Sequence, residues 1–363
     1  MSNVGFTFHT LDEPYWTEDA YYEFSPRQIA VIEHATDELV GMCFAAVDYV
    51  IEKNLFHKLK ISPEIAAQIK LSWERDDPTL YGRFDLGWDG TGQLKMYEYN
   101  ADTPTTLLEA SIAQYYWKQA YFKHYDQFNS IHEALVEQLQ WFKENKLPVS
   151  GTMHFAYTEG SEEDMRTAQY LSDVAKEAGI ETAIIDMSAI GHNAERECFT
   201  DLQDNEIVSM FKLYPWEWMV EEEFAEFAFT DMKYWLEPVW KMVLSNKGLL
   251  PILWELYPNH PLLLESYFEE DNTLTNFVKK PILSREGGNI TMVEGGKTVA
   301  STDGTYGDSG YITQAIHKLP CFDGKYPMIG SWVIGENSFG IGIREDVTLI
   351  TTNASRFVPH VIR

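Results

Sequence analysis

The chain has 363 residues, of which 45% are hydrophobic and 14% aromatic, so it can bury a large core and is not a disordered protein. Its formal net charge is −28, from 56 acidic and 28 basic residues. A negative field of this size repels nucleic-acid phosphates and anionic membranes, and it attracts cations such as metal ions or polyamines. The charge therefore argues against a nucleic-acid-binding protein.

The cysteines and the N-terminal sequence exclude further kinds of protein. Cys43, Cys198 and Cys321 lie far apart and share no metal-ligand spacing, so neither a disulfide framework nor a cysteine zinc site is expected. No apolar run reaches the ~18 residues that span a bilayer. The N-terminal stretch MSNVGFTFHTLDEPYW has no basic region and no apolar region of the kind found in signal peptides. We expect a cytoplasmic protein without membrane partners.

The first half of the chain contains three predicted helices. Hydrophobic residues at helical spacing predict a helix over 26–60, with Ser25 as its N-cap. Further helices are expected over 105–122 and 130–144.

Residues 151–190 change in character. TMHFAY alternates as a strand does, SEEDMRTAQYLSDVAKEAG has a helical pattern, and IETAIIDM is again strand-like. This order predicts a βαβ unit, and with it a parallel sheet. The unit carries no GxGxxG pattern, which argues against a dinucleotide-binding fold.

The second half of the chain moves from aromatic-rich segments to strands. Segments 216–229 and 231–258 are expected to be helical, the second broken by prolines. From residue 278 onward the sequence is strand-like, with glycine-rich turns. The whole predicts a mixed α/β (α+β) fold of several lobes.

A predicted β-hairpin carries the first candidate site. LYGRFDLG and QLKMYEYN alternate in polarity, and the loop between them contains the hairpin dipeptide Asp89-Gly90. If the loop has an even number of residues, Arg83 falls opposite Glu98 or its neighbours. One face of the hairpin then carries Arg83, Asp85, Glu98 and Asn100, and the other turns Phe84, Leu86, Tyr97 and Tyr99 towards a core.

Two carboxylates and a carboxamide on one face form a set of hard oxygen donors, which suits Mg²⁺. The alternative is a solvated hairpin face on which Arg83 pairs with Asp85 or Glu98. The hairpin alone leaves both interpretations open.

Phosphate-binding residues are less clearly marked. The chain has no GxxxxGK[ST] loop, no kinase signature, no HExxH pair and no GxSxG elbow. In REGGNI, Gly287 and Gly288 could bring backbone N–H groups to phosphate oxygens, although an ordinary hairpin turn is the more common explanation for a lone Gly-Gly pair. Lys247 and Lys280 are unremarkable alone. Arg344 is a better candidate, because the glycines of GIGIRED leave its strand unusually bare.

Four long motifs stand out along the chain: YGRFDLGWDGTGQLKMYEYNADTPTTLLEA, EPVWKMVLSNKGLLPILWELYPNHPLLL, VKKPILSREGGNI and GIGIREDVTLITTNASRFVPHVI. Taken together, they resemble the glutathionylspermidine synthase family, and the likeness extends from FHTLDEPYW to the C-terminus. The resemblance implies an ATP-grasp-like fold, with a nucleotide between two lobes and a glycine-containing lid. It also implies a single synthetase domain over 1–363, without the amidase domain of the bifunctional members.

The resemblance also implies a set of site residues, grouped by the ligand that they would contact. Mg²⁺ would be held by Asp85, Glu98 and Asn100; ATP by Lys247, Lys280, Gly287, Gly288, Gln314 and Arg344; and the acid substrate by Thr103, Thr105 and Arg285, with Arg83 at the reacting acyl centre.

The implied reaction is ATP-dependent joining of a carboxylic acid to an amine, through an acyl phosphate. In the family the acid is glutathione or a related peptide and the amine a polyamine, but the reaction class transfers to this chain more readily than the substrates do. Two alternatives remain open. One is an ATP-binding protein that has kept the fold without catalysis, and the other is a metal-dependent phosphohydrolase.

Overall fold

The computed structural model describes residues 15–147, 151–352 and 355–363. Most of FHTLDEPYW, where the family resemblance begins, lies outside the described residues, as do Asn353 and Ala354 of the last motif.

The helices of the described chain follow the predicted pattern in its first half, except for an additional helix over Pro63–Glu74 that was not predicted. In chain order they are α1 (Pro26–Lys53), α2 (Pro63–Glu74), α3 (Gln114–Tyr121), α4 (Ile131–Asn145), α5 (Glu162–Glu177), α6 (Trp216–Met219) and α7 (Leu249–Leu256).

Most of the strands lie in the second half, as the sequence predicts from residue 278 onward. They are β1 (Tyr22–Phe24), β2 (Tyr81–Gly87), β3 (Lys95–Asn100), β4 (Met153–Tyr157), β5 (Thr182–Asp186), β6 (Gly191–Asn193), β7 (Cys198–Thr200), β8 (Ser209–Lys212), β9 (Tyr234–Leu236), β10 (Ser266–Phe268), β11 (Phe277–Pro281), β12 (Thr291–Glu294), β13 (Lys297–Ser301), β14 (Tyr311–Ala315), β15 (Tyr326–Ile334), β16 (Asn337–Asp346), β17 (Arg356–Val358) and β18 (His360–Ile362).

Three sheets build the molecule. The central sheet is antiparallel, in the order β17-β16-β15-β2-β3. A second antiparallel sheet has the order β10-β14-β11-β12-β13. The parallel sheet has the order β5-β4-β8-β9. Shorter pairings join β1 to β18 and β6 to β7. This architecture confirms the mixed α/β class.

Helix α1 begins where the sequence predicts, because Ser25 and Gln28 form a capping box. The Ser25 hydroxyl accepts a bond from the Gln28 N–H at 3.3 Å, and the Gln28 side chain accepts one from the Ser25 N–H at 2.8 Å. The helix ends at Asn54, which adopts left-handed backbone angles (φ 54°). A 3₁₀ turn, Leu55–Leu59, completes the predicted helical region.

The predicted βαβ unit is confirmed as β4, α5 and β5, with the two strands parallel and Met153 opposite Thr182. Ser161 caps α5 by accepting a bond from the N–H of Asp164 at 3.1 Å. Strands β8 and β9 extend the same sheet. The boundaries 151–190 for a separate lobe stay a prediction.

Two helix predictions need correction. The helix expected over 105–122 spans 107–121, and its residues Glu109–Ala113 are π-helical instead of α-helical. The aromatic-rich segments form only short helices, and the second contributes strand β9. Their aromatic side chains range from buried (Trp216, Trp240) to exposed (Trp218, Phe224), so burial does not follow the single helical face that the prediction assumed.

Alternation along β2 separates a core from the candidate site. Phe84 and Leu86 pack in the hydrophobic core shared with α1, whereas Arg83 and Asp85 project from the opposite face. At the start of the strand that opposite face is also apolar, because Tyr81 packs against Trp332 with ring centroids 6.1 Å apart. Within the described ranges no helix is both long and apolar enough to cross a bilayer.

Candidate functional site

The hairpin β2–β3 brings the four predicted polar side chains onto one face. Arg83 pairs with Asn100 across the ladder, and Asp85 pairs with Glu98. The connecting loop, residues 88–94, has seven residues and is therefore odd-numbered. A bulge at Tyr97 compensates, because the register shifts by one residue between Asp85 and Leu86. The predicted face is thus confirmed, although the loop length assumed for it is wrong.

The same bulge overturns the prediction for Tyr97. Phe84, Leu86 and Tyr99 lie in the core as predicted, but Tyr97 lines the cavity. Its hydroxyl donates a hydrogen bond to the carbonyl of His317 at 2.7 Å. The extra residue of a bulge interrupts strand alternation, which explains the miss.

A cavity of about 170 Å³ lies between the central sheet and the second sheet, and most of the candidate residues line it. The exceptions are Lys247 and Gly288. Lys247 lines a smaller cavity of about 30 Å³ that shares Glu98, Asn100, Thr103 and Arg285 with the first. Gly288 lines neither, and its N–H donates to the carbonyl of Arg285 at 2.9 Å. The candidates lining the main cavity are Arg83, Asp85, Glu98, Asn100, Thr103, Thr105, Lys280, Arg285, Gly287, Gln314 and Arg344.

Asp85 is the buried centre of the charged group. Arg83 donates to it through Nε at 2.7 Å and through Nη2 at 3.2 Å, and Arg344 donates through Nη2 at 3.2 Å. Asp85 is 1% exposed and Arg83 is 4% exposed, so the ion pair expected on a solvated face is present but buried. Burial and the charge of Arg83 lower the pKa of Arg344, whereas Asp85 outweighs burial and raises the pKa of Arg83.

Glu98 stands between two lysines. Lys247 Nζ lies 3.2 Å from its Oε2. Burial acts to raise the pKa of Glu98, but the charges of Lys247 and Lys280 outweigh it and lower the pKa to about 2. Burial lowers the pKa of Lys280 to about 8, although Glu98 opposes the shift.

The oxygen donors fit a hard cation. The Asn100 amide lies 3.3 Å from Asp85 Oδ2 and 3.5 Å from Glu98 Oε1, measured from Nδ2. Since amide nitrogen and oxygen are assigned from hydrogen-bond patterns, a flip would present the oxygen beside both carboxylates. Among the described residues no group of three or more His, Cys, Asp or Glu side chains could hold a metal ion. A metal site formed by Asp85 and Glu98 therefore needs the Asn100 carboxamide oxygen as a third ligand.

Arg285 and Gly287 belong to the loop that follows β11. Arg285 donates to Thr103 Oγ1 through Nη1 at 2.5 Å and to Glu217 Oε1 through Nη2 at 2.8 Å. Gly287 has a φ of 70°, and a Cβ on it would lie 2.5 Å from the carbonyl oxygen of Thr351. Only glycine fits this close approach without strain.

Sequence reasoning missed Asp102, Lys212 and Glu217, which contact the candidate residues or one another. Lys212 Nζ donates to Asp102 Oδ1 at 2.7 Å, and neither side chain is exposed. One signal was present: Lys212 ends the short strand SMFK, whose other residues suit a buried position. The contact with Asp102 spans 110 residues, and no local pattern predicts it.

Comparison with known proteins gives a consistent result. The family model described as "Glutathionylspermidine synthase preATP-grasp" matches residues 1–363. A Haemophilus influenzae protein whose name assigns it to the acid–amine ligases is 43% identical, over 99% of this chain and 95% of its own length. Trypanothione synthetase of Crithidia fasciculata is 30% identical, over 82% of this chain and 49% of its own. The bifunctional glutathionylspermidine synthetase/amidase of Escherichia coli is 29% identical, over 95% and 60%.

Solved structures agree on the fold. A glutathione synthetase-like effector from Globodera pallida has a TM-score of 0.59 at 9% identity, covering 94% of this chain and 89% of its own. A protein of Methylobacillus flagellatus named as a gamma-glutamylcysteine synthetase has a TM-score of 0.52 at 10% identity, covering 90% and 88%. At these identities the likeness concerns the fold, which is glutathione synthetase-like.

Proposed function

Because the chain belongs to the glutathionylspermidine synthase preATP-grasp family, we propose that it is an ATP-dependent ligase joining a carboxylic acid to an amine. The products would be an amide, ADP and phosphate. The observation that carries the proposal is one cavity wall on which Asp85, Glu98 and Asn100 meet the cations Arg83 and Arg344. Oxygen donors beside a cluster of fixed cations suit a triphosphate with its metal ion.

The cations of the two cavities form the proposed ATP site. Lys280 and Arg344 line the main cavity, and Lys247 lies at the shared wall, beside Glu98. A triphosphate would replace carboxylate partners with phosphate oxygens, so the positive charge stays paired when the nucleotide binds. Gln314, whose Oε1 accepts a bond from Lys280 at 2.7 Å, would contact the base. The close approach at Gly287 suits a loop that covers the phosphates.

Asp85, Glu98 and Asn100 would hold Mg²⁺, which when bound would neutralise the triphosphate. The lowered pKa of Glu98 keeps that carboxylate ionised at neutral pH, as a metal ligand must be.

The acid substrate is assigned to Thr103, Thr105 and Arg285. The two threonines lie in the segment after β3, and Arg83 Nη1 donates to the carbonyl of Thr105. Arg285 would bind a carboxylate of the acid through its planar guanidinium. Arg83 would stabilise the negative charge that develops on the acyl oxygen.

In the proposed reaction an oxygen of the acid's carboxylate forms a bond to the γ-phosphorus while the bond from that phosphorus to ADP breaks. The product of this step is an acyl phosphate. The unprotonated amine then attacks the acyl carbon, the amide bond forms, phosphate leaves with the electrons of the C–O bond, and the nitrogen gives up one proton. The net charge of −28 would draw a cationic amine towards the protein. From the names of the relatives, we propose a peptide such as glutathione as the acid and a polyamine as the amine.

Mass spectrometry tests the proposal. The full chain is incubated with ATP, Mg²⁺ and panels of peptides and amines that include glutathione and spermidine. The expected product has the summed mass of one acid and one amine minus water, and ADP forms only when both are present. ATP binding without any product would show a binding protein, and phosphate release without an amine would show a phosphohydrolase. Either result would overturn the proposal.

A further inference from the structure

Asp102 joins three separate parts of the chain. It comes two residues after β3, it is 1% exposed, and its carboxylate is fully engaged. Lys212 Nζ, at the end of β8, donates to Oδ1 at 2.7 Å, and the N–H of Trp216, at the start of α6, donates to Oδ2 at 2.9 Å. Lys212 also donates to the carbonyl of Tyr214 at 2.9 Å and lies 4.7 Å from the centre of the Trp216 ring. The central sheet is thereby fixed to the parallel sheet and to α6.

The residues that follow Asp102 and Trp216 in the chain both contact Arg285. Thr103 follows Asp102 and accepts a bond from Nη1 at 2.5 Å, while Glu217 follows Trp216 and accepts one from Nη2 at 2.8 Å. The contacts form a closed ring, from Asp102 to Thr103, Arg285, Glu217, Trp216 and back to Asp102. The small cavity of about 30 Å³ is lined by four of these residues, namely Asp102, Thr103, Glu217 and Arg285.

The ring fixes a guanidinium plane. A guanidinium held at both terminal nitrogens cannot rotate about its own axis without losing a bond. The ring of Trp218 supports it from one side, with the guanidinium carbon 5.5 Å from the ring centre. Burying a lysine–aspartate pair costs desolvation free energy, and apolar side chains could join the same segments without that cost. The advantage of the pair is direction, since hydrogen bonds fix angles and apolar contacts do not.

We propose that Lys212 and Asp102 are positioning residues that set the orientation of Arg285, acting through Thr103 and Glu217. The inference rests on the proposed function, in which Arg285 binds the acid substrate's carboxylate. None of the three residues Asp102, Lys212 and Glu217 needs to touch the reacting atoms. Their effect falls on how well the acid is held, and the ATP site is left unchanged.

The kinetic test separates positioning from general structural support. The variants are Glu217→Gln, which keeps the shape but removes the charge, and the charge-neutral pair Lys212→Met with Asp102→Asn. We expect the KM for the acid found in the ligase screen to rise at least tenfold in both, with the KM for ATP and kcat within about twofold of wild type. Because the residues act in series, combining all three changes should add less than twofold. Glu269→Gln, which breaks an ion pair with Lys279 on the second sheet, is the matched control and should change nothing.

A fall in kcat at unchanged acid KM would overturn the proposal, and so would effects that multiply in the combined variant. Urea unfolding identifies a variant that has simply lost its fold, and Glu217→Gln alone then decides, because Glu217 is partly exposed and its change leaves the buried pair intact.

A second readout does not depend on ligase activity. Trypsin must draw the Arg285 side chain into its specificity pocket to cut before Glu286, which is exposed. The ring competes for that side chain, so cleavage after Arg285, identified by peptide mass, should be at least tenfold faster in Glu217→Gln and in the Lys212/Asp102 variant than in wild type or Glu269→Gln. Unchanged cleavage would refute the proposed role of these contacts in holding the Arg285 side chain. Faster cleavage in a chain that makes no amide would support the ring and refute the proposed ligase function.

Discussion

Lys280 Nζ donates one hydrogen bond to Gln314 Oε1 at 2.7 Å and another to the carbonyl of Tyr97 at 3.1 Å. Lys280 is 6% exposed, and burial lowers its pKa to about 8 despite the nearby charge of Glu98. The lysine therefore joins the two walls of the cavity, β3 and the second sheet. Its charge is therefore lost at a lower pH than that of an ordinary lysine.

This pKa predicts a pH dependence of ATP binding. Below pH 8 Lys280 is protonated and attracts phosphate, and as the pH rises through 8 it becomes neutral, whereas an ordinary lysine would stay charged until about pH 10.4. The KM for ATP should rise between pH 7 and pH 9 by up to about tenfold, the limit for loss of one proton. Lys280→Arg, which keeps its charge over this range, should have a flatter profile. A wild-type profile that is flat to pH 9 would contradict the assignment.

Gly287 and Gly295 provide a matched pair of substitutions to alanine. Both have positive φ, 70° and 56°, but a Cβ on Gly295 meets nothing within 4 Å, whereas one on Gly287 lies 2.5 Å from the Thr351 carbonyl oxygen. Gly295→Ala should reduce the free energy of unfolding by ~1–2 kcal/mol, the backbone cost alone, and leave the KM for ATP unchanged. Gly287→Ala should cost more stability and also raise the KM for ATP, because the loop must move. Urea titration and ATP kinetics measure the two effects, and equal behaviour of the variants would disprove the steric argument.

Asp85→Asn tests the proposed metal site. The change removes a carboxylate that two buried arginines share, so we expect ADP formation to fall by at least ~10²-fold, as for loss of a central electrostatic group. It should also lower the free energy of unfolding by ~3–5 kcal/mol, because Arg83 and Arg344 lose their partner. Asp77→Asn, which removes the half-buried partner of the exposed Arg75, is the control and should leave turnover intact. Wild-type ADP formation by folded Asp85→Asn would eliminate the metal assignment.

Lys241 should matter for stability. It is 1% exposed and donates to the carbonyls of Tyr81 and Ala101 at 2.8 and 2.9 Å, while its ion-pair partner Glu237 is 3.1 Å away. Lys241→Met leaves the Glu237 carboxylate buried without its cation and should cost ~3–5 kcal/mol in urea unfolding. Lys53→Met, which breaks an exposed pair with Glu52, should cost less than ~1 kcal/mol. Similar losses in the two variants would contradict the role of burial.

The hairpin shows how far the sequence predicts the site. Strand alternation placed Arg83, Asp85, Glu98 and Asn100 on one face, because two-residue periodicity is a local property. It could not place Tyr97, since a bulge depends on how the partner strand is paired. Whether the face was solvated or buried was also beyond the local pattern, because the second sheet that covers it comes later in the chain.

The aromatic-rich segments and the ring of contacts around Arg285 show which features the sequence could not predict. Strand β9 and the short α6 are decided by packing against the parallel sheet, which overrides local helical propensity. The partners of Asp102 are 110 and 114 residues away, so a motif could mark the aspartate but not what it binds. Only the fold connects Lys212 with Asp102.

The pairing order of the central sheet has a consequence for the folding of the newly made chain. Strand β2 lies between β3, its neighbour in the hairpin, and β15, and Arg344 reaches Asp85 across 259 residues of sequence. Until β15 and β16 emerge from the ribosome, β2 has an unpaired edge, and the carboxylate of Asp85 has only Arg83 as a cation. Contacts this distant form slowly, because much chain entropy is lost before they can form. The nascent chain thus carries an open, aggregation-prone strand edge through most of its synthesis, and that is the interval in which a chaperone has most to protect.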